Sequence, residues 1–225
     1  MQSLFEHQAA LATSLPGSVI STDISGTTVT LPRIFNPSTG LRDLSPSNLI
    51  AYGTPFSKLY FATVRDPLTK IVLKSTIVVC IDGACSANGT PAARAAIGVY
   101  FGHGSPHNIS ERIDGVQTSK RAEIRAAIRA LEVVATELLD DLHVREVVLL
   151  CDSSYVVQSM SEWIFKWQEN GWKDAVRGPV VNAKDLRELD TLIETLAEEG
   201  IDVKFWRVGR EENVLADELA KKACE

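Results

Sequence analysis

Near residue 118 the hydrophobic period of this chain changes, and that change restricts the fold more than any other feature. Upstream, KIVLKSTIVVCID (70–82) and RAAIGVYFG (94–102) are runs of apolar and β-branched residues of strand length, and NISERIDG (108–115) reads as a third strand. Gly- and Pro-containing loops join them, so the three predict an antiparallel meander. In SKRAEIRAAIRALEVVATELL, by contrast, Ile124, Ala127, Ile128, Leu131, Val134, Ala135 and Leu138 recur at helical spacing, which predicts a long helix with one face on the sheet. REVVLLCD is a further strand and SSYVVQSMSEWIFKWQEN a helix stopped by Asn170-Gly171. AKDLRELDTLIETLAEEG is a helix ending at Gly200, IDVKFWRV a strand and NVLADELAKKA a last helix. The order β-β-β-α-β-α-α-β-α predicts an α/β domain with a five-stranded mixed sheet, its first three strands antiparallel, over residues 73–225.

Residues 1–72 differ in texture. They are rich in Ser, Thr, Pro and Gly, yet TVTLP, LIAYG and KLYFATV carry enough large apolar residues to predict an irregular extension with short strands. The chain has 225 residues, enough for one sizeable core or a domain of about 150 residues with an extension. Its apolar runs fall short of a membrane span. The amino terminus, MQSLFEHQAALATSLPGS, has neither the basic n-region of a secretory signal nor an Arg to suggest a mitochondrial presequence. An intracellular address is expected, in nucleus, cytoplasm or an organelle such as the mitochondrion. Cys80, Cys85, Cys151 and Cys224 form no Cys-x-x-Cys pair, and Cys80 and Cys151 sit inside apolar runs as small hydrophobes. A net charge of −6 argues against a protein that holds nucleic acid by bulk positive charge, unless several acids are metal ligands.

Four acids stand in unusual places. Asp82 is expected to end the strand IVVCID, Glu123 to lie in the first turn of the long helix at the edge of its apolar stripe, Asp152 to follow EVVLLC, and Asp217 to sit between Ala216 and Leu219 in the last helix. Each has an ordinary explanation in a turn, a helix dipole, a cap or a solvated face. As a set they are harder to dismiss. If the strands bearing Asp82 and Asp152 run parallel, both carboxylates emerge at the carboxyl edge of the sheet, the usual place for a site in such a fold. Unpaired, the cluster is repulsive; oxygen ligands of this kind suit Mg²⁺ or Mn²⁺, and two ions about 4 Å apart suit phosphodiester displacement.

The segments IDGACSANG, QTSKRAEIRAAIRAL, LCDSSYVV, EWIFKWQENGWKDAVRGPVVNAKDL and NVLADELA resemble the successive blocks of ribonuclease H of type 1, in family order and at family spacing, over roughly residues 75–223. The resemblance implies a ribonuclease H-like fold and hydrolysis of the RNA strand of RNA/DNA hybrids by two Mg²⁺ ions, with Mn²⁺ as a substitute, leaving 5′-phosphate and 3′-hydroxyl ends. It places Asp82, Glu123, Asp152 and Asp217 on the four catalytic, metal-binding carboxylates, with Asp82 between the two ions and small neighbours admitting the hybrid's backbone. By the same resemblance Cys85, Asn88, Ser119 and Lys120 are the places for contacts to 2′-hydroxyls, and Thr118 and Asn182 match a pocket for a phosphate of the DNA strand. Trp163, Trp167 and Trp172, with Lys166, Lys173 and Arg177 nearby, match a projecting handle that contacts the DNA strand, although the i,i+4 pair Trp163 and Trp167 equally suits core packing.

The chain departs from the family at VGREENVLAD. This loop is shorter than usual and lacks the family His; Arg210 follows Gly209, and Asn213, a candidate substrate contact, leads into Asp217. Arg210 is placed either against the scissile phosphate or in a surface ion pair with Glu211 or Glu212. A non-catalytic hybrid-binding module and another nuclease of this fold class, such as a junction resolvase, are the competing readings. The early-helix Glu and the Trp-bearing insertion favour ribonuclease H over the resolvase. The expected partner is an RNA/DNA hybrid met by a monomer, with no membrane and no small-molecule cofactor.

Overall fold

The structure is a computed structural model that describes residues 33–35, 50, 76–139 and 144–225 in full, and only the backbone of 20–22, 28–30, 51–52, 60–65 and 70–75. The sheet is organised around β5 (Lys70–Ser86). On one side β5 pairs in parallel with β8 (Glu146–Cys151), from Thr76↔Glu146 to Cys80↔Leu150, and β8 pairs in parallel with β9 (Asp202–Arg207). On the other side β5 pairs antiparallel with β6 (Arg94–Tyr100), which pairs with β7 (Ile109–Arg112). The order β7-β6-β5-β8-β9 is the five-stranded mixed sheet that the periodicity predicts. Two short strands of the extension, β3 (Ile50–Tyr52) and β4 (Tyr60–Arg65), enlarge it to seven, because β4 pairs antiparallel with the first part of β5. β1 (Ile20–Thr22) and β2 (Thr28–Thr30) form a separate antiparallel pair. The irregular stretches expected between these strands lie outside the described residues.

Alternation along β5 builds the two cores. Ile77, Val79 and Ile81 join the apolar stripe of α1 (Ser119–Val133) and Leu186, Leu189 and Ile193 of α4 (Ala183–Glu198) on one face. Val78 and Cys80 face the other way, with Val148, Leu150, Trp206 and Ala216 of α5 (Val214–Cys224). Both Cys80 and Cys151 are buried small hydrophobes whose thiols burial pushes up to about 12.

The structure corrects three local expectations. β5 does not end at Asp82: it runs on to Ser86, because β6 returns alongside and pairs Asp82 with Gly98 and Ser86 with Arg94. Glu123 is in the second turn of α1, since the Thr118 hydroxyl accepts from the Arg121 amide and makes Ser119 the first helical residue. The helical stretch after Asp152 is divided into α2 (Ser154–Gln158), a π-turn over Ser159–Trp163 and α3 (Ile164–Asn170). A second π-turn, Val134–Leu138, closes α1. Each π-turn contains a hydroxyl bonded to the carbonyl four residues back, Ser161 to Val157 at 2.7 Å and Thr136 to Glu132 at 2.8 Å, which competes with regular helical bonding.

Two glycines set how close the helices come. A methyl group on Gly83 would fall on the backbone of Ala122 and Glu123, and one on Gly98 on the Ala216 carbonyl and the Ala220 amide. Gly83 is therefore small to admit helix α1. Replacing Gly98 with Ala is expected to push α5 off the sheet and lower stability by about 1–3 kcal/mol. Chemical denaturation of the two proteins side by side measures this, and equal midpoints would refute the close packing.

Candidate active site

The parallel register brings the acids together. The β5–β8 ladder ends at Cys80↔Leu150, and each strand has its Asp two residues further on, so Asp82 and Asp152 stand at the same edge. Asp82 shares the strand phase of Val78 and Cys80 and so faces α5, which carries Asp217; Glu123 arrives from α1, its backbone lying against Gly83. The Asn213 side-chain amide, just before α5, donates to the Ile81 carbonyl at 3.0 Å and ties that loop to the strand beside Asp82. All four carboxylates line one open cavity of about 1050 Å³.

Charge in this cavity is only partly compensated. Burial first, then the carboxylates of Asp152, Asp217 and Glu123, raise Asp82 to about 7, against a weaker downward pull from the Gly83 backbone. Burial also lifts Glu123, while the Ser153 hydroxyl, donating to its Oε2 at 2.6 Å, pulls it down. Asp152 has Arg210, with Nε 3.3 Å from Oδ2, and Asp217 has Lys221 at 2.6 Å, one turn along α5. Among the described residues no three His, Cys, Asp or Glu side chains converge closely enough to ligate one ion as they stand. Two of the acids are turned to cationic side chains instead. The donor set itself fits a hard divalent cation: it is all oxygen, and Asp82 lacks a cationic partner of its own in these pairings.

The other predicted residues divide into three groups. Cys85, Asn88, Ser119, Lys120 and Arg210 line the same cavity as the acids. Arg210 has a side chain 93% exposed and pairs with Asp152 rather than with Glu211 or Glu212 as its alternative role requires. Asn213 lines that cavity as well, but it is 2% exposed and its Nδ2 is committed to the Ile81 carbonyl, so it also positions β5 against α5. Thr118 and Asn182 stand at the N-caps of α1 and α4, and Asn182 takes a left-handed φ of 61°. Tyr155 links their neighbourhoods: its ring lies 4.9 Å from Lys120 Nζ, and its hydroxyl donates to the Val181 carbonyl at 3.1 Å.

Trp163, Trp167 and Trp172 are half-buried and form a continuous run of ring contacts, at 5.8 Å and 6.1 Å between successive centroids. Of the i,i+4 pair, Trp167 packs on the main core and Trp163 meets the rings of Tyr155 and Trp167; Trp172 packs on the core as well. Trp163 and Trp167, with Lys166, Asn170 and Lys173, line a surface groove. Gly171 ends α3 with φ 75°, and the following loop folds around Asp174, whose Oδ1 accepts from the amides of Val176 and Gly178 at 3.0 Å and 2.8 Å. That leaves Lys166, Lys173 and Arg177 exposed around the groove and its loop.

Sequence reasoning passed over Ser153, Tyr155 and Lys221. Lys221 was legible, since it stands four residues after Asp217 on one helix. Ser153 was legible only as a cap for α2, a role it fills by accepting from the Val156 amide; its bond to Glu123 spans two elements.

Helices on both faces of a sheet in this order, with acids at the carboxyl edge of its parallel pair, define a ribonuclease H-like α/β domain. Comparison with known proteins agrees. The RNase H family profile matches residues 74–225. Ribonuclease H1 of Rattus norvegicus is 36% identical over 156 residues, 66% of this chain and 50% of the relative. Ribonuclease H of Pectobacterium carotovorum is 35% identical over 152 residues, covering 68% of this chain and 92% of the relative. That of Treponema denticola is 37% identical over 158 residues, 66% of this chain and 97% of the relative. A foamy viral protease-reverse transcriptase solved in complex with dsDNA shares the fold at TM-score 0.52 and 21% identity, over 65% of this chain and 92% of that one. The chain belongs to the ribonuclease H family. It spans about half the length of the mammalian relatives it matches.

The raised Asp82 sets a pH dependence for the metal-free protein. Its folded pKa of about 7 lies above that of an unfolded carboxylate, so its contribution to stability is complete below about pH 4 and is lost as pH rises through about 7. Asp82→Asn is expected to gain on the wild type between pH 5 and pH 8 by an amount of order 2 kcal/mol after allowance for partial exposure. Denaturant titrations with chelator at the two pH values test it; a stability difference independent of pH would count against the buried, repelled carboxylate.

Proposed function

We propose that this chain is a divalent-metal-dependent endoribonuclease that hydrolyses the RNA strand of RNA/DNA hybrids by a two-metal mechanism, leaving 5′-phosphate and 3′-hydroxyl ends. The observation that carries this reading is the convergence of Asp82, Glu123, Asp152 and Asp217 on one cavity, with Asp82 held near neutrality by burial and by the other three. Membership of the ribonuclease H family supports it. Asp82, Glu123, Asp152 and Asp217 would hold the cations, Mg²⁺ or Mn²⁺. When bound, such ions supply an acidified water as nucleophile and neutralise charge on the departing oxygen.

The chain's own residues account for the rest. Ser153 fixes Glu123 through its hydroxyl and holds the rotamer facing the cavity. Arg210, exposed and beside Asp152, would meet a non-bridging phosphate oxygen of the substrate. Cys85, Asn88, Ser119 and Lys120 border the cavity where a 2′-hydroxyl, the group that separates RNA from DNA, would be read. Thr118 and Asn182 would hold a phosphate of the DNA strand, and the groove of Trp163, Trp167 and Lys173 would meet that strand further along.

A second reading, a hybrid-binding module without catalysis, draws on the Arg210–Asp152 and Lys221–Asp217 pairs, which neutralise two acids without any cation. One assay separates the two. An end-labelled RNA strand hybridised to DNA is incubated with the chain, with and without Mg²⁺, beside single-stranded RNA and duplex RNA. The hydrolase reading expects cutting of the hybrid alone, dependent on metal, and a loss of at least about 10²-fold in Asp152→Asn. Arg210→Ala is expected to lower turnover by a smaller factor. Hybrid binding without cutting at any metal concentration would establish the second reading.

A further inference from the structure

The N-terminal extension reaches the tryptophan-bearing helix through one buried side chain. Residues 33–35 lie along β9 on the edge away from β8: Ile34 bridges Phe205 in parallel, the Phe35 amide donates to the Phe205 carbonyl at 2.9 Å, and the Phe205 amide donates to the Arg33 carbonyl at 2.9 Å. The Phe35 ring packs 5.2 Å from that of Trp206. These contacts deliver Arg33 to the α3–α4 side of the domain, where it is 6% exposed. Its Nη1 is 2.7 Å from Asp190 Oδ1 of α4, and its guanidinium lies 5.7 Å from the centre of the Phe165 ring of α3. The second oxygen of Asp190 accepts from the Gln168 side-chain amide of α3 at 2.6 Å.

One buried carboxylate thus joins the extension to α3, and Gln168 is the neighbour of Trp167. We propose that Arg33 is a positioning residue for the tryptophan-bearing helix, which makes residues 33–35 part of the apparatus that grips the duplex; the gripping role rests on the hydrolase reading above. The physical reason lies in the charges around it. Asp190 is 6% exposed, and burial raises the nearby Glu194 and Asp202 carboxyls, against which Arg33 supplies a lesser opposing pull. Removing Arg33 leaves Asp190 buried without this counter-charge, and an uncompensated buried carboxylate is relieved by turning toward water. That movement takes the anchor away from Gln168, beyond which Glu169 and Asn170 are exposed. Gln168 then loses its bond to α4, and the segment keeps its contact to that helix at Trp172, whose ring lies 4.5 Å from the Arg187 guanidinium.

The test uses the full chain. Arg33→Ala strands a buried charge, so the informative variant is Arg33→Met with Asp190→Leu, which removes both charges at similar volume, and Arg33→Lys serves as the conservative control. With a long RNA/DNA hybrid, the double variant is expected to raise KM about five- to tenfold with kcat within about twofold, and Arg33→Lys to recover part of the KM. Hydrogen exchange of the amides from Phe165 to Asn170 is expected to accelerate in the double variant and less so in Arg33→Lys. If the double variant does not fold, Arg33→Lys against wild type carries the same comparison. An unchanged KM, or a fall in kcat alone, overturns the gripping role. Unchanged exchange in α3 overturns the positioning role itself, and does so even if the wild type cuts no hybrid, an outcome that would sink the hydrolase reading independently.

Discussion

The close approach of two helices to the sheet at Gly83 and Gly98 determines where the acids stand. Asp82 lies inside a strand with α1 pressed to one face beside it and α5 to the other, and neither helix could come so near if those two positions carried side chains. The same contact places the backbone of Glu123 against the strand and Asp217 on the face toward which Asp82 points. Asn213 completes the arrangement by holding the Ile81 carbonyl, the last backbone acceptor before Asp82. A core packed to this tolerance leaves the carboxylates little freedom to move apart, and burial first, then their repulsion, appear as the raised Asp82.

Around this cluster the protein distributes partial compensation. Ser153 donates to Glu123, Arg210 reaches Asp152 from an exposed loop, and Lys221 meets Asp217 along its helix. None of these is rigid in the way the backbone is: the Arg210 side chain is 93% exposed and that of Lys221 67%. Contacts of this kind are cheap to exchange, since exposed ion pairs contribute little and are screened by salt. A chain of net charge −6 can therefore meet a polyanion through local features, exposed lysines and arginines beside aromatic rings, rather than through its overall field.

The extension belongs in the same picture. Its residues 33–35 continue the sheet beyond β9, while β3 and β4 enlarge it at β5, so among the described residues it meets the domain at two separated places. Arg33 carries the first of these to the α3–α4 side of the domain, where Asp190 and Phe165 receive it. β5 runs through residues 72 and 73, and its register with β4 shifts just there, Thr63 facing Val72 while Phe61 faces Ile77.

Much of the architecture was legible from pattern alone. The alternation of β5 and the helical stripe of α1 are periodic, and periodicity is a local property of the chain, so the β-β-β-α-β-α-α-β-α order and the four acids follow from it and from family resemblance. Ends and partners were not legible in the same way. Whether a strand stops at Asp82 depends on whether β6 continues beside it, and whether Gly83 serves a substrate or a helix depends on what packs there. That Asn213 is 2% exposed and holds the Ile81 carbonyl was not legible either, because burial is not written into a residue's type. The Arg33–Asp190 pair, 157 residues apart in sequence, has no signal that a local reading could detect. The sequence by itself determined which residues carry charge and which face of each element is apolar; only the tertiary structure decided which of those charges meet, because that depends on register and on the packing distance between layers.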